Sequence, residues 1–277
     1  MQNGWRIAAA SKAGTSHLVS GIPCQDAYAI EHFVDYRGDA VTVFVVSDGA
    51  GSASRADEGA SITCCEVISF IKDHLNCGRA LSDFDVDTAK ALVVHIQTSI
   101  GNIAGRTSSP VREFACTLLF AAFDESAAII GQIGDGATVV NADGGWCWVH
   151  WPQHGEFANT TNFVTQDSAM NDLQFDRINR RIDEIAMFSD GIEKLEFSDG
   201  IEKLVLHYST RSVFSPFFEK MILPVRASKN FGIDHALSAS LGTYLESNDI
   251  CMKTDDDKTL IIASRVAQID SYTAKGK

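Results

Sequence analysis

The sequence lacks several features that would assign it to a class at once. None of its apolar runs reaches the roughly 18 residues that a membrane-spanning helix needs. The first residues, MQNGWRIAAASKAG, lack the basic start and apolar core of a secretory signal. The seven cysteines form no CxxC pair and no zinc-finger spacing. We therefore expect reduced, mostly buried thiols in a cytoplasmic protein that has no membrane partner.

Positive charge is also scarce. The 277 residues include 23 lysines and arginines against 36 aspartates and glutamates, which gives a net charge of −13. This balance argues against nucleic acid as a general partner, and it repels a phosphorylated substrate unless cations bind locally. No linker rich in proline or glycine divides the chain. We expect one domain over residues 1–266, a polar tail over residues 267–277 and a monomeric protein.

Three short apolar runs each end in an aspartate followed by glycine. They are VFVVSDGAGS (Val43 to Ser52), AIIGQIGDGA (Ala128 to Ala137) and IAMFSDGIEKL (Ile185 to Leu195), and in DDDKTLIIAS (Asp255 to Ser264) the carboxylates come first. An apolar run of about five residues predicts a buried strand, and glycine beside it allows a sharp turn. Carboxylates gathered at strand ends would suit a hard divalent cation. The residues proposed for such a centre are Asp26, Asp48, Asp190 (or Asp199) and Asp256.

Strands and inserted helices alternate loosely along the chain, which indicates a layered α+β domain rather than a βαβ array. After DGAGSAS the period changes to 3.6, which predicts a helix capped by Ser54. A second helix is predicted from about Asp87 to Ile103, and residues 152–182 are predicted to form a long surface loop or flap. The residues of the second helix expected to face inward are Ala91, Val94, Ile96 and Ile100.

The ordered motifs GTSHLVSGIPCQDA, VVSDGAGS, ACTLLFAAF, QIGDGA, MFSDGI and DDKTLII resemble the metal-dependent protein phosphatases, the type 2C serine/threonine family. The resemblance extends from about Trp5 to Arg265. It is strongest to a compact bacterial branch, whose flap resembles HGEFANTTNFVT (His154 to Thr165). It implies an αββα sandwich, in which two antiparallel sheets pack face to face with helices outside. It also implies a centre of two Mn²⁺ or Mg²⁺ ions at one end of the sandwich.

The resemblance implies a role for each proposed ligand. Asp48 would bridge both ions, and Gly49 would lend its carbonyl oxygen to one of them. Asp190 and Asp256 would hold the other ion, while Asp26 would act through a bound water.

Asp135 of GDGA matches a position that, with the SDG aspartate, can hold a third ion in bacterial relatives. A hydroxide bridging the metals would then attack phosphoserine or phosphothreonine without a covalent intermediate. The catalytic roles fall on Asp48, Asp190 and Asp256. The implied partner is a phosphorylated protein substrate, together with a cognate kinase.

Two positions depart from the family pattern. Gly21 stands where many members have an arginine that grips the substrate phosphate, and Ala50 stands where some members have a histidine. Histidine or lysine does not reproduce the bidentate grip of arginine. Gly21, together with a repeated segment beside a proposed metal ligand, leaves an alternative open, a pseudophosphatase that binds a phosphoprotein as a regulatory module; a phosphatase of small metabolites is a third hypothesis. The basic residues that could bind phosphate are His17 and Arg55, followed by Lys12 and Arg112.

The segment FSDGIEKL occurs twice in tandem, at Phe188 to Leu195 and at Phe197 to Leu204. Only one copy can occupy the metal position. The first copy follows the apolar lead-in IDEIAM, whereas the second follows IEKLE, whose charged residues would be poorly placed in a buried strand. We therefore predict that Asp190 rather than Asp199 is the ligand, and that the second copy bulges into a loop or lengthens a helix.

Overall fold

A computed structural model describes residues 4–142, 144–153, 161–193, 205–207 and 209–265. Its strands are β1 (Trp5–Lys12), β2 (Ala27–Val34), β3 (Ala40–Ser47), β4 (Leu118–Phe123), β5 (Ala128–Ile133), β6 (Ala137–Ala142), β7 (Gly145–Trp148), β8 (Gln174–Ile178), β9 (Glu184–Phe188), β10 (Leu206–His207), β11 (Ser212–Val213), β12 (Gly232–Ile233) and β13 (Lys258–Arg265). Its α-helices are α1 (Thr15–Ser20), α2 (Ala56–Asn76), α3 (Val86–Thr107), α4 (Ala169–Asp172), α5 (Asp190–Glu193), α6 (Ser215–Ala227), α7 (His235–Leu245) and α8 (Asn248–Cys251). Short 3₁₀ turns occupy Leu81–Asp83 and Val111–Phe114.

Two large sheets form the centre of the fold. One has the strand order β12-β1-β13-β9-β6-β7, and the other has the order β2-β3-β4-β5-β8. All neighbouring strands in them are antiparallel except β12 and β1. Because side chains alternate along a strand, the inner face of each sheet presents every second residue to the other sheet. The resulting core includes Trp5, Phe44 and Phe123, whose rings meet edge to face with centroids 5.4–5.9 Å apart.

Helices cover both outer faces. α2 and α3 pack on the second sheet through a core that includes Val67 and Ile96. α6 and α7 pack on the first sheet through a core that includes Phe218 and Leu241. The four layers confirm the predicted αββα sandwich.

Two helical details of the sequence prediction were wrong. α2 begins at Ala56, and Ser54 does not cap it, because the Ser54 hydroxyl donates instead to Glu113 Oε2 at 2.8 Å. In α3, Ala91 and Val94 are exposed rather than inward-facing. Contacts with neighbouring elements decide both details, and the sequence pattern of a single helix does not reveal those contacts. The buried stripe of α3 is Ala89, Leu92, Val93, Ile96, Ile100 and Ala104.

The region predicted as a long loop, residues 152–182, is only partly irregular. It contains α4, and β8 adds an edge strand to the second sheet by pairing with β5. An edge strand buries only part of its surface, so its sequence carries a weaker apolar signal than a central strand does. Residues 154–160, the first part of the predicted flap, lie outside the described residues. The polar tail over residues 267–277 also lies outside them.

The seven cysteines all lie in the described ranges, and none forms a disulfide. Cys64 and Cys116 are buried, and burial raises the pKa of the Cys116 thiol to about 11. The expectation that most thiols are buried was wrong, because Cys65, Cys77 and Cys147 are exposed. None of the helices in the described ranges has the length and apolar character that crossing a bilayer would require.

Candidate metal centre

The predicted ligands converge at one end of the sandwich, where strands of both sheets stop. Each of these aspartates lies immediately outside a strand or in the short turn beside one. The carboxylate of Asp48 interacts electrostatically with all four of the others. The converging residues are Asp26, Asp48, Asp135, Asp190 and Asp256.

Burial and mutual repulsion govern the charge of this centre. Burial raises the pKa of Asp48 well above its usual range, and its four aspartate neighbours raise the pKa further. Burial also raises the pKa of Asp26 to about 7, although hydrogen bonds from Ser189 and Thr259 partly oppose the shift. Because burial and mutual repulsion oppose the ionised form of these carboxylates, a nearby cation would stabilise that form strongly.

Two hydroxyl groups hold Asp26 in place. Its Oδ2 accepts a hydrogen bond from Ser189 Oγ at 2.7 Å and lies 2.8 Å from Thr259 Oγ1. Ser189 Oγ in turn accepts from the Thr259 amide at 3.0 Å. Asp26 Oδ1 is buried and finds no hydrogen-bond partner among the described residues. Ser189 and Thr259 were not among the predicted site residues, although each lies beside a predicted ligand, at the start of SDG and at the end of DDDKT.

The backbone around Asp48 is fixed by Thr117, the residue before β4, and by the loop before β2. The Asp48 amide donates to Thr117 Oγ1 at 2.9 Å, and the Asp48 carbonyl accepts from the Thr117 amide at 2.8 Å. At Gly49 a Cβ atom would lie 2.7 Å from the Gln25 carbonyl oxygen and 2.8 Å from the Ala56 carbonyl oxygen. Only glycine lets these three chain segments approach so closely.

These residues fit a hard divalent cation held partly by water. The donors are all oxygens, and the unpartnered Oδ1 of Asp26 is a buried acceptor that a cation or its water could satisfy. Among the described residues, no group of three or more His, Cys, Asp or Glu side chains could by itself hold an ion. Mg²⁺ is usually bound through one or two carboxylates and keeps several waters, so it does not require such a group.

The basic residues proposed to bind phosphate are mostly engaged elsewhere. The guanidinium of Arg55 donates to both carboxylate oxygens of Glu58, at 2.8 and 2.6 Å, and to Ser109 Oγ at 2.9 Å. It also stacks on the ring of Phe114, 4.5 Å from the centroid. Gripping phosphate would therefore require Arg55 to leave an ion pair that already satisfies its planar fork.

The other basic residues differ in how free they are. His17 Nδ1 lies 3.0 Å from both carboxylate oxygens of Asp257, and Lys12 forms an ion pair with Glu246 at 3.1 Å. The Arg112 side chain is 84% exposed, with its Nε 3.6 Å from Glu113 Oε1. Gly21, at the family's arginine position, ends α1 with φ of 68°, in the left-handed region that arginine rarely adopts.

The two copies of the tandem segment differ in what the structure describes. Asp190 begins α5 and is separated from the end of β9 by Ser189 alone, in the position predicted for the ligand, and it is 8% exposed. Asp199 and the rest of the second copy lie outside the described residues.

Comparison with known proteins gives a consistent match. Residues 13–246 match the family described as Protein phosphatase 2C. The chain is 33% identical over 261 residues to Serine/threonine-protein phosphatase 3 of Escherichia coli strain K12, which covers 94% of this chain and 98% of that protein.

Solved structures of low sequence identity share the fold. The serine/threonine phosphatase PstP/Ppp of Mycobacterium tuberculosis matches with a TM-score of 0.64 at 14% identity, over 95% of this chain and 99% of that one. The catalytic domain of PstP in complex with two manganese ions matches with a TM-score of 0.62 at 13% identity, over the same shares of the two chains.

The close approach at Gly49 predicts a sharp difference between two glycines of the DGAGS motif. Gly49→Ala should lower the free energy of unfolding by about 1–3 kcal/mol, because the new methyl group would overlap backbone atoms. Gly51→Ala is the matched control, since a Cβ there meets nothing within 4 Å, and it should stay within about 0.5 kcal/mol. Urea denaturation of both variants measures the difference, and equal stabilities would contradict the packing described here.

The raised pKa of Asp26 predicts how stability changes with pH when no metal is present. The ordinary pKa of this carboxyl is 3.8 and burial in the folded protein raises it to about 7, so between these pH values the folded state holds a proton that the unfolded state has lost. The contribution of Asp26 to the free energy of unfolding is therefore largest below about pH 4 and falls as the pH rises towards about 7.

The measurement compares the wild type with Asp26→Asn, which cannot titrate, by urea denaturation in the presence of a chelator. Relative to Asp26→Asn, the wild type should become less stable between about pH 4 and about pH 7. A wild type that gains stability over that window would show that the pKa of Asp26 is not raised.

Proposed function

The chain belongs to the protein phosphatase 2C family, and we propose that it is a metal-dependent serine/threonine protein phosphatase. The observation that carries this proposal is the convergence of five aspartates at one end of the sandwich, where Asp48 interacts with the other four. The name of the 33% identical relative from Escherichia coli and the two manganese ions of PstP support the same activity.

The proposed cofactors are two Mn²⁺ or Mg²⁺ ions, with a third ion at Asp135. Asp48 and the Gly49 carbonyl would hold one ion, Asp48 would share the other with Asp190 and Asp256, and Asp26 would contribute through water. When bound, such ions would activate water and stabilise the charge of the phosphoryl group during in-line attack. The catalytic residues under this proposal are Asp48, Asp190 and Asp256.

The chain's own contribution is to hold these carboxylates in place before any substrate arrives. Thr117 fixes the backbone of Asp48, while Ser189 and Thr259 fix the carboxylate of Asp26. Preorganised groups need no reorganisation at the moment of reaction, which is the main source of electrostatic catalysis.

Phosphate affinity would rest on bound cations more than on side chains. Lys12, His17 and Arg55 each contact a carboxylate, and Gly21 supplies no side chain. Arg112 also pairs with a carboxylate, that of Glu113 at 3.6 Å, but its side chain is 84% exposed, which makes it the cation best able to reorient toward a substrate. Nothing in the structure favours the pseudophosphatase alternative, because every predicted ligand that lies in the described ranges stands at the same end of the fold.

The proposal also covers the substrate, the opposing kinase, the cellular location and the oligomeric state. The substrate would be a phosphorylated protein, and a kinase that phosphorylates that protein would be the opposing activity. We further propose that the protein acts in the cytoplasm as a monomer, in keeping with the cysteine pattern and the net charge of −13.

The direct test is hydrolysis of a phosphoserine or phosphothreonine peptide by the purified chain. Phosphate release should require added Mn²⁺ or Mg²⁺ and should stop when a chelator is present. A small phosphorylated metabolite at the same concentration should compete poorly with the peptide. A folded protein that binds the phosphopeptide without releasing phosphate would instead be the pseudophosphatase.

The tandem segment allows a test within one chain. Asp190→Ala should reduce metal-dependent hydrolysis by roughly 100-fold or more, because a metal ligand supports several kcal/mol of transition-state stabilisation. Asp199→Ala, the same change in the second copy, should keep most of the activity. If both variants stay active, the two copies are interchangeable and the choice of Asp190 is wrong.

A further inference from the structure

The turn before β13 contains a buried carboxylate, that of Asp257, which is not among the predicted metal ligands. Asp257 is 3% exposed and follows Asp256 directly. Its Oδ1 accepts a hydrogen bond from the Gly14 amide at 2.6 Å, and its Oδ2 accepts one from the Gln25 amide at 2.6 Å. His17 Nδ1 lies 3.0 Å from both oxygens. One buried carboxylate therefore receives donors from three points of a single loop.

These donors lie far enough apart along the chain for Asp257 to hold both ends of one segment. Gly14 lies just before α1 and Gln25 lies five residues after its last residue, so Asp257 ties together both ends of the segment that contains α1. Gln25 is also the residue next to Asp26. The two backbone amides and His17 therefore attach this segment to Asp257 at its start, within α1 and near its end, an arrangement that we call the clamp.

The neighbouring residue reinforces the same attachment through its backbone. The Asp255 carbonyl accepts from the Ser16 amide at 3.1 Å and from Ser16 Oγ at 2.7 Å. A Cβ atom at Gly14 would lie 2.2 Å from that carbonyl oxygen, so the two segments are in direct backbone contact. The loop from Gly14 to Asp26 is thus held against the turn from Asp255 to Asp257.

We propose that Asp257 is a positioning residue that fixes Asp26 relative to Asp256 by clamping the Gly14–Asp26 loop onto the Asp255–Asp257 turn. Asp26 and Asp256 belong to chain segments more than two hundred residues apart, and the clamp joins those segments within one residue of each aspartate. The consequence for metal binding rests on the proposed function; the clamp itself does not.

The same contacts assign His17 to the clamp. Its Nδ1 is directed at the Asp257 carboxylate, and its side chain is only 12% exposed. Removing His17 should therefore loosen the loop and weaken metal binding, whereas removing a phosphate-binding residue would raise KM for the substrate without changing metal affinity.

The test compares Asp257→Asn with Asp255→Asn in the full chain. Both variants lose one negative charge next to Asp256, but the Asp255 side chain is exposed and only its backbone holds the loop. Asparagine at position 257 keeps one acceptor oxygen and turns a donor toward the other loop amide. Hydrogen exchange of the Gly14 and Gln25 amides reports on the clamp, and calorimetric titration with Mn²⁺ alone reports on the metal centre.

We expect Asp257→Asn to speed exchange at both amides and to weaken Mn²⁺ binding by about 10-fold or more, the usual cost of losing an outer partner of a metal site. Asp255→Asn should leave both readouts close to wild type. Unchanged amide exchange in Asp257→Asn would overturn the clamp, and equal loss of Mn²⁺ affinity in both variants would show that charge alone is responsible. Failure of the wild type to bind Mn²⁺ would refute the proposed function. The amide exchange rates would still show whether Asp257 holds the loop, because they do not depend on metal.

A second variant keeps the proposal testable if Asp257→Asn does not fold. His17→Ala removes one of the three donors and leaves the carboxylate with its two backbone donors. It should weaken Mn²⁺ binding by a few fold, with KM for the phosphopeptide unchanged at saturating Mn²⁺. A raised KM with unchanged Mn²⁺ affinity would assign His17 to the phosphate instead, and would contradict its place in the clamp.

Discussion

The structure depends on one electrostatic constraint, the repulsion among carboxylates that the fold forces together at the end of two sheets. A partly buried carboxylate that interacts with four others is costly to ionise, which is why the pKa of Asp48 lies well above its usual range. One lysine lies beside the centre: Lys258 is fully buried and its Nζ donates to the Asp256 carbonyl oxygen at 3.1 Å. Lys12, His17 and Arg55 contact carboxylates outside the five. Neutral donors relieve part of the cost of ionising the five aspartates, and a bound cation would relieve more of it.

Neutral hydrogen-bond donors and close contacts between backbone segments hold the carboxylates of the centre in position. Hydroxyl groups of Ser189 and Thr259 hold Asp26, and backbone amides hold Asp257. These donors lie on β13, on the residue after β9 and on the loop before β2, so the geometry of the centre follows from how the strands of the sandwich stop. A sheet end is suited to this role because ladder hydrogen bonds fix its backbone up to the last paired residue.

The sequence predicted the features that depend on buried strands. Continuous apolar runs located β3, β4, β5 and β13 because both faces of these strands are covered, and the aspartates at their ends located the centre. It could not predict contacts made between distant segments. Asp257 appeared to be one carboxylate among three, and only the tertiary structure shows that it faces loop amides while Asp256 interacts with Asp48. Arg55 was proposed for phosphate because the sequence does not show its pairing with Glu58.

The tandem segment shows how strand pairing limits where an insertion can fall. β9 pairs with both β13 and β6, with Phe188 opposite Leu260 on one side and Ala137 on the other. This register places Ser189 beside Thr259, where it can reach Asp26. A shift of an odd number of residues before Phe188 would exchange the two faces of the strand and remove that contact. Because Phe188 belongs to the first copy and ends β9, an insertion that follows Ser189 leaves this register unchanged.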